Sequence, residues 1–290
     1  MGRNGSVKSP DGCKIIAEMG ASHQQSFQKA LAIIWAAADV GANAVKVQMF
    51  TPDDMTLPKD DEKFKIKKGL WQGRILYELY EKACMPYDWI PRLKEHTEAR
   101  GMDFIVTVYH PRTVAIAEEM GIKTYKVASF EINYENLIKK LDKTDKPVIV
   151  SCGSASYKEI EAVVRIMRRN LTLLKCTSQY PAPLDNMNLL TIPDMRGKFG
   201  VPVGLSDHTL GIVAPVIAVG LGATVIEKHI SVDGKGLDGG FAILPDRFAT
   251  MVQSIRAAEK ALGKVEYGGK KSYHREMIDS NFVRTVHNET

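Results

Sequence analysis

Cysteine is scarce in this 290-residue sequence: there are four, Cys13, Cys84, Cys152 and Cys176, with no Cys-x-x-Cys pair among them. That excludes a thiol-rich zinc site and favours a reducing compartment. Also missing are an apolar run of membrane-spanning length, an apolar core in the opening Met1-Gly2-Arg3-Asn4-Gly5-Ser6, and a stripe of interleaved basic and aromatic residues. A membrane span, a secretory leader and a nucleic-acid groove are therefore not expected, and the expected location is the cytoplasm. The net charge of +5 is mild for this length and tolerates a small anionic substrate. No Gly-x-Gly-x-x-Gly turn follows the first strand-like run, which counts against a dinucleotide fold.

What is present is alternation. Eight short apolar runs recur: Ile15-Ile16-Ala17, Ala44-Val45-Lys46-Val47, Phe104-Ile105-Val106, Tyr125-Lys126-Val127, Val148-Ile149-Val150, Leu171-Thr172-Leu173-Leu174, Val201-Pro202-Val203 and Thr224-Val225-Ile226. Between them lie stretches of helical period, such as residues 27–40, 114–120, 157–169 and 248–262. Gly41, Gly101, Gly121, Gly200 and Gly222 stand where helices should close before the next strand. Strict β-α alternation eight times over is the pattern of an α/β (β/α)8 TIM barrel. The predicted barrel domain spans residues 1–264, followed by a tail at 265–290, extended or packed on a second subunit. One stretch, residues 51–86, is too long for a βα loop and predicts a helix of its own around residues 71–82.

In such barrels the active site lies at the carboxyl ends of the strands. Those ends carry Glu18, Lys46, Gln48, Thr107, Lys126, Ser129, Glu131, Ser151, Lys175, Thr177, Ser206, Asp207, His208, Glu227 and His229. A lysine inside an apolar strand needs an anion. Lys46 and Lys126 with the nearby hydroxyls suit a phosphate and a carboxylate; internal salt bridges to Glu18, Glu131 and Glu227 are the competing reading. His208 and His229 end consecutive strands, and either share a metal ion or a substrate or are two separately hydrogen-bonded histidines.

Several ordered motifs point to a family. Ile16-Ala17-Glu18-Met19-Gly20 followed by His23, Val45-Lys46-Val47-Gln48, Tyr125-Lys126-Val127-Ala128-Ser129-Phe130-Glu131, Cys176-Thr177-Ser178-Gln179-Tyr180-Pro181, Ser206-Asp207-His208-Thr209-Leu210-Gly211 and Val225-Ile226-Glu227-Lys228-His229 resemble the sialic acid synthase family. Its enzymes condense phosphoenolpyruvate with an amino-sugar aldehyde to form nine-carbon keto acids. The segments Met55-Thr56-Leu57, Leu70-Trp71, Leu76-Tyr77-Glu78-Leu79-Tyr80 and Asp238-Gly239-Gly240-Phe241 are most similar to the pseudaminic acid synthase branch.

The resemblance implies a divalent metal, Mn2+ or Mg2+, on His208 and His229, and phosphoenolpyruvate held by Lys46, Thr107, Lys126, Ser129, Ser151 and Ser206. It places Glu18, Gln48, Tyr180 and Asp238 toward the sugar, with Glu18, Glu131 and Asp207 as catalytic carboxylates and Glu131 where a proton must move. The implied partners are phosphoenolpyruvate, an amino-sugar and a second copy in a homodimer, with no nucleic acid and no membrane. Three departures stand out: Ser22 where the family has Asn, Thr107-Val108-Tyr109-His110 in place of Thr-Pro-Phe-Asp, and an end at Thr290, where residues 281–286 resemble the linker to the family's C-terminal antifreeze-like domain. That domain supplies an arginine for the sugar, so a separate capping-domain protein is a further expected partner. An N-acetylneuraminate or legionaminate synthase is the neighbouring alternative, and a barrel kept as a non-catalytic binding or assembly module is the alternative of another class.

Other residues read more plainly. Cys152 and Cys176 are expected in the core, Trp35 on the buried face of the first helix, and His96 and His274 in solvent. Trp71 reads as core or as a lid, and residues 59–68 as a solvated basic loop.

Overall fold

A computed structural model describes residues 12–167, 169–265 and 267. Eight parallel strands close into a barrel in sequence order: β1 (Lys14–Glu18), β2 (Ala44–Met49), β3 (Asp103–Val108), β4 (Thr124–Val127), β5 (Val148–Ser151), β6 (Leu171–Cys176), β7 (Val203–Asp207) and β8 (Val225–His229). The helices are α1 (Phe27–Asp39), α2 (Pro52–Met55), α3 (Leu76–Ala83), α4 (Trp89–Glu98), α5 (Pro111–Glu119), α6 (Glu135–Asp142), α7 (Tyr157–Ile166), α8 (Thr191–Phe199), α9 (Val213–Gly220) and α10 (Pro245–Leu262). One compact unit runs to Glu259, and a second begins at Lys260, of which residues 260–265 and 267 are described. The expected 265–290 tail, with His274, otherwise lies outside the described residues. Among the described residues no helix is long and apolar enough to cross a membrane.

Side chains alternate across each strand, so one parity faces the barrel axis and the other the helices. Ile16, Ala44, Ile105, Ile149, Leu174 and Val225 form a separate apolar cluster, the plug of the barrel. The large outer cluster contains the opposite parity, Ile15, Ala17, Val45, Val47, Val106, Val127, Val150, Leu173, Leu205 and Ile226, packed under the helices. Counting two residues onward from the plug gives Glu18, Lys46, Thr107, Ser151, Cys176 and Glu227, and the same parity gives Lys126 and Ser206. A polar layer thus sits directly above an apolar one.

Four local expectations are revised. β7 starts at Val203, because Pro202 has no N–H for the ladder; its carbonyl still accepts from Leu173 N at 3.0 Å. β8 continues through Glu227-Lys228-His229, polar residues that the strand tolerates because Glu227 and Lys228 find partners. The helix expected at residues 71–82 is α3, and Trp71 lies in the turn before it. Trp35, expected in the core, is 43% exposed on α1. The five cap glycines all take left-handed φ angles, between 62° and 87°.

Candidate active site

A cavity of about 450 Å3 opens at the carboxyl ends of the strands. Its floor is the polar layer. Lys46 Nζ lies 2.6 Å from Glu18 Oε2 and 3.8 Å from Glu227 Oε1, and donates to Thr107 Oγ1 at 2.9 Å. Burial works to lower the Lys46 pKa, but Glu18 and Glu227 outweigh it and hold it above the ordinary lysine value. Lys126 is different. Its Nζ donates to Ser151 Oγ and to the Val127 carbonyl, both at 2.7 Å, and no carboxylate among the described residues is within ion-pair reach. Burial therefore lowers its pKa, with Glu227 and Glu18 countering only from a distance. The competing salt-bridge reading thus holds for Lys46 and fails for Lys126.

Two buried carboxylate oxygens at this cavity have no hydrogen-bond partner, Glu131 Oε2 and Glu227 Oε2. Burial raises the Glu131 pKa above the usual glutamate value, and Lys126 opposes it. For Glu227, burial pushes the same way but Lys46, Lys126 and His229 overcome it, leaving its pKa lowered; Ser206 Oγ donates to its Oε1 at 3.0 Å. The Ser129–Glu131 turn that carries Glu131 is fixed by Ser154, whose N–H donates to Ser129 Oγ and whose hydroxyl donates to the Ser129 carbonyl, each at 3.0 Å.

The two histidines stand above this floor with ring centroids 5.5 Å apart. His208 Nδ1 is 3.0 Å from the Thr177 carbonyl, and His229 Nδ1 is 3.1 Å from Asp238 Oδ2. Both partners only accept, so the Nδ1 of each imidazole carries a proton and Nε2 is the nitrogen left for a ligand. Burial drives the His208 pKa down to about 3, with His229 adding to the shift, so the ring is neutral at pH 7. An acceptor behind each ring that fixes the tautomer is the usual support of a metal-ligating histidine. Among the described residues no group of three or more His, Cys, Asp or Glu is placed to hold an ion.

Gly20 is part of this arrangement. Its φ is +49°, and a Cβ there would come within 2.1 Å of Asp238 Oδ2 and 3.0 Å of the His229 ring. The same Asp238 oxygen accepts from Ala21 N at 2.9 Å, so the carboxylate cannot swing away freely.

Three expected site residues are engaged by partners within the protein. Asp207 has outward parity: it is buried behind the barrel, bonded to Lys228 Nζ at 2.5 Å and to Thr209 N and Oγ1 at 3.0 and 3.1 Å, and does not line the cavity. Glu18 is fully buried within the floor, where Oε1 accepts from Gln48 Nε2 at 2.7 Å; it reaches the cavity only through Lys46 and Gln48. Asp238 lines the cavity, but its Oδ2 is engaged by His229 and Ala21. Lys46, Gln48, Thr107, Lys126, Ser129, Glu131, Ser151, Tyr180, Ser206, His208 and His229 all line the cavity.

Glu227, expected at a strand end and as a salt-bridge partner, lines the cavity and shares inward parity with His229. Tyr109 donates its hydroxyl to Gln48 Oε1 at 3.0 Å, and Phe241 packs 4.7 Å from the His229 ring and 5.0 Å from Tyr180. Neither had a polarity signal. Cys152 and Cys176 are buried with pKa values raised by desolvation, Cys152 to about 12, which keeps both thiols protonated and unreactive.

A closed parallel barrel with lysines, hydroxyls and paired imidazoles at its strand ends defines an enzyme that handles a small anion beside an electrophile. The chain belongs to the NeuB family, which it matches over residues 33–267. It is 44% identical over 255 residues to the pseudaminic acid synthase of Campylobacter jejuni subsp. jejuni serotype O:2, covering 86% of this chain and 74% of that protein. The pseudaminic acid synthase of Helicobacter pylori is 37% identical over 260 residues, covering 87% and 76%. Among solved structures, the N-acetylneuraminic acid synthetase of Leptospira borgpetersenii serovar Hardjo-bovis, in complex with citrate, superposes with a TM-score of 0.82 at 28% identity, covering 96% of this chain and 93% of that one.

Proposed function

We propose that this chain condenses phosphoenolpyruvate with an acetamido-sugar aldehyde to form a nine-carbon nonulosonic acid of the pseudaminic type, releasing phosphate. The observation that carries the reading is Lys126, a fully buried ammonium without a carboxylate partner, on the same floor as Lys46 and below two Nδ1-anchored histidines. Phosphoenolpyruvate supplies the missing anion: Lys126, Ser151 and Ser129 hold one charged end, and Lys46, Thr107 and Ser206 the other. The sugar lies above, against Gln48 and Tyr180.

C3 of phosphoenolpyruvate attacks the aldehyde carbon, forming the new C–C bond, and the aldehyde oxygen takes the proton of the Glu131 carboxyl, whose raised pKa lets it carry one. The positive charge left at C2 is met by Glu227, whose lowered pKa keeps it ionised. Water adds at C2 and yields its proton to Glu131, the carboxylate whose raised pKa suits a base. The added hydroxyl oxygen then forms the keto C=O, its proton passing to the departing group, as the C2–O bond to phosphate breaks and phosphate leaves. His208 and His229 would hold a divalent ion, Mn2+ or Mg2+, which supplies Lewis-acid polarisation of the aldehyde oxygen when bound. A homodimer belongs to the same proposal.

Purified protein given Mn2+, phosphoenolpyruvate and each candidate sugar should release phosphate with one of them, and His208→Ala should lose metal-dependent turnover. No phosphate release with any amino-sugar, at any metal, would sink the reading.

A further inference from the structure

The segment between β2 and α4, residues 51–86, is not needed to close the barrel, yet it builds one wall of the cavity. Met55, Ile66, Trp71, Leu76, Leu79 and Tyr80 line the cavity from this side. The wall is braced. An antiparallel bridge joins Lys65 to Ile75, Ile66 N donates to the Arg74 carbonyl at 2.9 Å, and Gly73 N donates to the Ile66 carbonyl at 2.8 Å. Trp71 Nε1 donates to the Leu237 carbonyl at 3.1 Å, and its ring stands 5.8 Å from Tyr180 and 6.1 Å from Phe241. Tyr80 packs edge-on against Phe50 at 5.8 Å.

This wall has little hydrogen-bonding capacity to offer. The Trp71 N–H is spent on Leu237. Asp54, the carboxylate that the segment turns to the cavity, is engaged by Thr51 N at 2.8 Å, Thr51 Oγ1 at 2.9 Å and Arg112 Nη2 at 2.7 Å. The Tyr80 hydroxyl is left. A sugar hydroxyl pressed on such a surface gives up water with nothing in return, at about 1–3 kcal/mol each. A methyl group gains about 0.8 kcal/mol on the same surface.

We propose that residues 51–86 are the specificity element of this site, and that Met55, Ile66, Trp71, Leu76 and Leu79 form the pocket that receives the acyl methyl groups of the sugar. The assignment rests on the synthase reading above and deepens it. The lysine and hydroxyl floor serves phosphoenolpyruvate whatever the sugar is, and the apolar wall reads the sugar.

The test enlarges the pocket. For Leu76→Ala and Ile66→Ala, kcat/KM is measured with the acetamido sugar and with the same sugar carrying propanamido groups. A methylene in a hydrophobic pocket is worth roughly 10- to 200-fold. The propanamido-to-acetamido ratio should therefore rise about tenfold or more in at least one variant, with the KM for phosphoenolpyruvate unchanged. Trp71→Phe, which keeps a ring but loses the N–H, should raise the KM for sugar alone. Thermal melts and phosphoenolpyruvate binding report that the variants are folded. An unchanged ratio in both active variants overturns the pocket. Wild-type protein that binds phosphoenolpyruvate yet condenses no acylamino sugar overturns the synthase reading, and the pocket with it.

Discussion

A buried cation without a counter-ion costs the fold free energy that a bound anion returns, and Lys126 sits in that position. Lys126→Met keeps the volume and removes the charge. The melting temperature of the variant without ligand should hold or rise, while phosphoenolpyruvate affinity falls by about 1.5–3 kcal/mol, roughly 10- to 150-fold in Kd. Calorimetry on both proteins checks this; a lower melting point with unchanged affinity would make Lys126 a purely structural residue. Glu131 gives a pH signature. Burial raises its folded pKa above the usual 4.5, so the folded chain holds that proton more tightly than the unfolded chain. The Glu131 contribution is thus most favourable below the unfolded value and is lost as pH climbs through the raised one. Glu131→Gln stays neutral throughout and should erase that limb when melting points are compared between about pH 4 and pH 7. Superimposable pH profiles for the two proteins would count against a perturbed Glu131.

At the scale of elements, the parity of the strands decides which neighbour in a motif does chemistry. Ser206 and His208 face the cavity, and Asp207 between them faces the helices. Glu227 and His229 likewise flank the outward Lys228. The Asp207–Lys228 pair stitches adjacent strand ends behind the two imidazoles, with Lys228 also donating to the carbonyls of Thr209 and Gly211. Lys228→Met strands a buried carboxylate and should cost about 3–5 kcal/mol, whereas Asp207→Leu combined with Lys228→Met should recover most of it. Denaturant melts of the single and double variants measure the difference, and equal losses would refute the pairing argument. The same parity explains what the sequence could reveal. Apolar runs and glycine stops located all eight strands, and lysines inside such runs pointed to the polar layer above the plug. Asp207 was misread by position at a strand end, where an alternation count assigns it outward. β8 was read short because polar residues look like loop until their partners are known. Trp35 followed helical period, but its place in the turn leaves it partly in solvent. The wall from residues 51–86 was beyond reach, since its contacts with Leu237, Tyr180 and Phe241 span more than a hundred residues.

For the molecule as a whole, ligand binding and folding are linked. Phosphoenolpyruvate at a hundredfold excess over Kd should stabilise the barrel by about 2.7 kcal/mol, or about 4–5 °C in melting temperature at this size. The shift should appear without sugar, because the cradle lies on the floor rather than on the aromatic wall. Differential scanning with and without phosphoenolpyruvate measures it, and no shift at saturation would remove the cradle from the account.

The plug of Ile16, Ala44, Ile105, Ile149, Leu174 and Val225 closes the barrel beneath that cradle. It makes the site a blind well with one opening, and a blind well imposes a queue. The reactant that sits deepest must arrive first, and whatever is made of its phosphate must wait for the product above to clear. Under the proposed reaction, phosphoenolpyruvate should therefore bind ahead of the sugar and inorganic phosphate should leave last, which product-inhibition kinetics with phosphate against phosphoenolpyruvate checks.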